Sequence, residues 1–102
     1  MPDRQALLFG QTLDERFAEY HARNPLVFKL FERFARTALQ SGRTHYSAKA
    51  IMERVRWEIS IKSQDDQGFK INNNYTSRYA RLLATEYPEF KGFFHMRELR
   101  AA

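Results

Sequence analysis

The chain has 102 residues with 17 basic and 12 acidic side chains, a formal charge of +5 and a pI of about 9.8. Hydrophobic residues make up 43% and aromatics 15%, with nine Phe, five Tyr and one Trp, which excludes a disordered chain and allows one domain with a real core. Cysteine is absent, which excludes a disulfide scaffold and a thiolate zinc site, and no apolar run approaches the ~20 residues of a membrane span.

Residues 1–11 read as an N-terminal arm and residues 12–102 as a single helical domain. Ala6, Leu7, Leu8 and Phe9 form an apolar patch too short for a secretory signal, so a cytoplasmic location is expected. Thr12-Leu13-Asp14-Glu15 matches a capping box. Leu13, Phe17 and Tyr20 follow at helical spacing, predicting a helix from Leu13 to Arg23. Asn24-Pro25 breaks it and, as cap and first helical residue, starts the next. Val27, Phe28, Phe31, Phe34, Ala35, Ala38 and Leu39 make its broad apolar face. A stripe this rich in Phe reads as core rather than as a ligand box. Ser41-Gly42 ends the helix, because glycine takes the left-handed conformation without strain.

Ser47 can cap a third helix with Ala48, Ile51, Met52, Val55 and Ile59 turned inward and Lys49, Glu53, Arg54 and Arg56 turned elsewhere. Trp57 is expected to seal the core edge; stacking on a nucleobase is the functional alternative. Residues 63–68 are a loop by composition. Residues 69–71 alternate apolar and polar and read as a short strand, and residues 59–61 alternate too, so the third helix could end early and pair there. Residues 93–99, rich in aromatics, read as a strand or a short helix; as a strand they would pair with residues 69–71.

Between these lies the stretch at residues 72–87, a polar-capped helix closed by Pro88. Tyr75, Tyr79, Leu82 and Leu83 fall on one side, and Asn74, Ser77, Arg78, Arg81 and Thr85 on the other. An apolar face holds such a helix down while arginines and short polar groups point away, as a helix in the major groove requires. The competing reading is an ordinary surface helix with two solvated arginines. Arg supplies 12 of the 17 basic residues, and its planar fork suits phosphate and guanine. From Gly42 onward 11 basic and 7 acidic residues give +4, against +1 before it.

The expected architecture is therefore mainly α: four to five helices with a short β-hairpin, winged-helix-like. Arg78 and Arg81 would meet base edges and Asn74 an adenine. Lys91, Arg97 and Arg100 would lie near phosphates on a wing formed by residues 91–99. A homodimer is the usual way so small a domain reaches specific affinity on DNA, although no heptad marks a dimer face.

Enzyme chemistry finds little support. His21, His45 and His95 show no metal-ligand spacing. Asp65-Asp66 sits in a solvated loop and would need a further acid or histidine, Glu58 or His95, in the same cleft to hold a metal as a nuclease does. There is no Gly-rich phosphate loop and no nucleophile elbow. No cofactor and no catalysis are expected. The rival class is a module that binds or inhibits another protein, where exposed Tyr, Trp and Arg would carry the interface.

The fragments Val55-Arg56-Trp57-Glu58, Phe69-Lys70-Ile71-Asn72-Asn73-Asn74, Tyr79-Ala80-Arg81 and Phe93-Phe94-His95-Met96-Arg97 occur in that order. In them the chain resembles a family of short, uncharacterised bacterial and prophage proteins. The resemblance covers residues 50–99 and is looser in the early helices. It implies a bacterial or phage setting and carries over no functional residue. That setting implies two roles: control of transcription or lysogeny through duplex DNA, or inhibition of a host protein.

Overall fold

The computed structural model describes residues 12–63 and 70–94, and over these the protein is mainly helical. Helix α1 spans Leu13–Arg23, α2 Pro25–Gln40, α3 Ala48–Ser63 and α4 Thr76–Glu86. A 3₁₀ turn, Asn73–Tyr75, leads into α4, and a second, Pro88–Phe90, follows it.

The caps explain most of these ends. The Thr12 hydroxyl accepts the Glu15 N–H at 3.2 Å at the start of α1. The Glu15 carboxylate accepts from the same hydroxyl, satisfying the cap from a second side. Asn24 departs from expectation. Its side chain donates to the Tyr20 carbonyl at 2.9 Å and so closes α1, while making no side-chain cap for α2. Pro25 alone gives α2 its sequence-level start signal. Gly42, at φ 95°, turns the chain out of α2. The Ser47 hydroxyl accepts the Ala50 N–H at the start of α3.

One core joins the elements. Val27, Phe28, Leu30, Phe31 and Ala35 of α2 meet Ile51, Met52 and Val55 of α3 and Tyr79, Ala80 and Leu83 of α4. Ile71, Tyr75, Phe90, Phe93 and Phe94 complete it from the connecting segments. Each such side chain fully withdrawn from water contributes ~1.5–3 kcal/mol. Helix α1 buries no residue fully. It is held by the partly buried Leu13, Phe17 and Tyr20, with the Phe17 ring edge-on to Tyr79 at 4.8 Å and Tyr20 against Tyr75 at 5.2 Å. By that measure α1 is the least firmly anchored helix.

Several expectations are corrected. Residues 59–61 continue α3, which runs to Ser63, because a three-residue alternation is too short to compete with a growing helix. Lys70 and Ile71 are not in a strand. Phe94 forms an isolated parallel bridge with Tyr46, the Tyr46 N–H donating to the Phe93 carbonyl at 3.0 Å. The hairpin and a fifth helix are thus absent among the described residues. The arm at residues 1–11, Phe69 and residues 95–99 lie outside them. Trp57 does not seal the core; it is half exposed.

Candidate nucleic-acid interface

The sequence-derived stripe lies on the side of α4 away from the core, but its members are in different states. Arg81 and Thr85 are exposed, Asn74 is exposed on the 3₁₀ turn, and Ser77 is half-buried. Arg78 is drawn aside. Its side chain is only 16% exposed, and its Nε–H donates to Asp14 Oδ1 of α1 at 2.6 Å. Its Nη1 donates to the Asn74 carbonyl at 3.1 Å. The outer face of α4 therefore shows one open guanidinium, that of Arg81, and not two. Lys91 is exposed beyond the second 3₁₀ turn. Arg97 and Arg100 lie outside the described residues, as do Asp65, Asp66 and His95. Among the described residues no three His, Asp or Glu side chains gather as metal ligands.

Other cations are also committed to acids. Arg23 pairs with Glu19 and Lys62 with Glu58 at 3.0 Å. Arg36 bridges Glu32 at 2.9 Å and Glu89 at 2.8 Å, its guanidinium lying over the Phe90 ring at 5.0 Å. The hydrogen bond from Arg36 holds the Glu89 carboxyl below the usual range. Arg36 thus ties α2 to the segment after α4, which is a structural task.

A different cluster stays open. Antiparallel packing of α2 on α3 leaves a surface groove of about 470 Å³ lined by Arg33, Arg43 and Arg54 with Phe34, Tyr46 and Thr37 among its walls. Among the described residues no acidic side chain lines it. All three arginines are exposed and in no ion pair among the described residues. Arg43 lies over the Tyr46 ring at 5.3 Å. Arg54 lies between two rings, 5.2 Å from Phe34 and 4.6 Å from Trp57. Such contacts hold a guanidinium in place without neutralising it. Glu58 feels these charges: its carboxyl is held low first by Lys62 and then by Arg54 and Arg33.

This groove escaped the reading of the sequence because Arg33 and Arg54 are 21 positions apart on different helices. One local signal existed: Arg54 and Trp57 stand at i and i+3, so on a helix they share a face.

No family model matches the chain, and neither a curated protein nor a solved structure does.

Proposed function

We propose that the protein is a nucleic-acid-binding module without catalysis, and that the α2–α3 groove holds the strand. The observation that carries this reading is the convergence of Arg33, Arg43 and Arg54 on a groove with aromatic walls and, among the described residues, no acid. Guanidiniums supply the phosphate contacts and their counterion release. The half-exposed Trp57 ring at the rim offers a face on which a base can stack. The basic surplus of the chain favours the same partner. The bacterial or phage setting implied by the resemblance fits a cytoplasmic regulator.

The test is fluorescence anisotropy of a labelled single strand and of a duplex over a salt series. Three phosphate contacts on a single strand give a log K against log salt slope of about −2. Arg33→Ala with Arg54→Ala removes most of that affinity. An unchanged affinity in the double variant, or no binding at low salt, ends the reading.

A second reading keeps duplex DNA on the outer face of α4, as a winged-helix-like domain would. Its support is Arg81, exposed in mid-stripe beside Thr85 and in no ion pair among the described residues. It requires Arg78 to leave Asp14. A duplex preference abolished by Arg81→Ala but untouched by the groove variant would favour it. Exposed Leu26, Trp57 and Ile61 favour the third reading, a protein partner; recovery of one partner after nuclease treatment would select it.

A further inference from the structure

Across α3 from the groove lies a second concavity. Arg54 and Arg56 are two residues apart, so at ~100° per residue they leave α3 on opposite flanks. Arg56 faces an open hollow of about 640 Å³ lined also by Tyr20, Lys70, Ile71, Asn72, Asn73 and Tyr75. That size falls within the ~300–1,000 Å³ of small-ligand sites.

The hydrogen bonding inside the hollow is one-sided. Arg56 Nη2 donates to the Ile71 carbonyl at 2.9 Å and to Asn73 Oδ1 at 2.6 Å, which fixes the guanidinium in place. Asn72 Oδ1 accepts the Asn74 N–H at 2.9 Å. Each amide oxygen thus already accepts one bond within the protein, and that donor identifies it as the oxygen. The side-chain nitrogens left over are the NH₂ of Asn72, the NH₂ of Asn73, Arg56 Nε and Nη1, and the exposed Lys70 ammonium. Every one of these is a donor, and none has an acceptor among the described residues. Arg56 and Lys70 supply two positive charges, and among the described residues no carboxylate lines the hollow. Tyr20 and Tyr75 wall it with rings.

From this we infer that the hollow binds the phosphate of a nucleotide-sized ligand, independently of the α2–α3 groove. A phosphate monoester offers only acceptors and negative charge, the complement of what is displayed. A guanidinium already held by two acceptors loses little freedom on binding it. The ring of such a ligand would lie against the tyrosine side.

Amide NMR shifts of the full chain, titrated with AMP and separately with adenosine, test this. AMP is expected to move the amides of residues 71–75, with adenosine at least about tenfold weaker, a difference of ~1.4 kcal/mol. Asn73→Asp is the sharpest variant. Its carboxylate still accepts from Arg56, so the local fold is kept, but it puts negative charge and an acceptor where a donor stood. It should weaken AMP at least about tenfold, and Lys70→Ala should weaken it several-fold without removing a hydrogen bond or ion pair among the described residues. Arg33→Ala with Arg54→Ala should leave AMP binding unchanged, which separates this site from the groove. Adenosine binding as well as AMP, no shift with either, or wild-type affinity in Asn73→Asp would overturn the assignment.

Discussion

Asp14 on α1 holds Arg78 on α4 through a 2.6 Å contact in which the arginine is mostly covered and the aspartate is 82% exposed. The asymmetry sets the energetics. An exposed carboxylate is well solvated, so the ion pair contributes no more than ~1 kcal/mol. Asp14→Ala should therefore shift the urea midpoint only slightly, with the m-value unchanged. It should also restore a second open guanidinium to the outer face of α4. If α4 reads duplex DNA, duplex affinity rises in this variant while single-strand affinity stays level. A fall in duplex affinity would show that Arg78 works from where it stands.

The Tyr79 hydroxyl has no hydrogen-bond partner among the described residues, although the side chain is fully buried. Leaving a polar group unpaired inside costs ~1–3 kcal/mol, whereas removing it costs almost nothing in packing. Tyr79→Phe should be neutral or stabilise the fold by up to ~1 kcal/mol. Tyr79→Ala should cost ~3–5 kcal/mol through the cavity left among Phe17, Phe28 and Phe31. Chemical denaturation of the pair measures both. A marked loss in Tyr79→Phe would reveal a bonded water or an altered ring packing.

Much of this architecture was legible in the chain, because helix ends are local events. Thr12, Pro25, Gly42, Ser47 and Pro88 punctuate within one turn of the residues they govern, and α1 runs over the span its capping box implied. The inward faces were legible too: Val27, Phe31 and Ala35 of α2 recur at helical spacing and are buried. What stayed hidden is tertiary. Arg78 looked solvated because its partner lies 64 positions away. Trp57 looked like core because its size favours burial, yet Arg54 one turn earlier covers one face and lets it remain half outside. Asn73 was legible as a turn residue, but its bond to Arg56 spans 17 positions. The candidate sites are made of such crossings, which no local period reports.

Stability should decline at both ends of the pH scale, for different groups. Burial pushes the Tyr20 hydroxyl up from 10.0 to about 12 and raises that of Tyr79 as well. A raised folded-state value keeps the proton on the native protein after the unfolded chain has lost it. That stabilisation is whole below pH 10 and is lost as pH climbs from 10 toward 12. Tyr20→Phe should flatten this alkaline limb. At the acid end Glu89 is held below its ordinary 4.5 by Arg36, so its contribution is present above that pH and fades as pH falls. Glu89→Gln should flatten that limb alone. Urea midpoints between pH 3 and about 11 give the profile; an alkaline limb unchanged by Tyr20→Phe would remove the tyrosine from it.

Trp57 is the sole tryptophan of the chain and stands at the rim of the groove in contact with Arg54, 4.6 Å from ring to guanidinium. It lines neither the groove nor the hollow beside Arg56, but its ring meets a guanidinium of the groove and, among the described residues, none of the hollow. Its emission should therefore respond to the groove through Arg54. A single-stranded oligonucleotide entering the groove should quench or shift it, since a base stacking on the exposed ring displaces water and alters the contact with Arg54. AMP at the Arg56 hollow should leave it unchanged. Arg54→Ala should redshift the unliganded emission by uncovering the ring, and weaken the oligonucleotide response together with the affinity. Quenching by AMP as strong as that by the oligonucleotide would mean that a single surface on the α2–α3 side takes both ligands. The one-sided donors beside Arg56 would then have no ligand of their own.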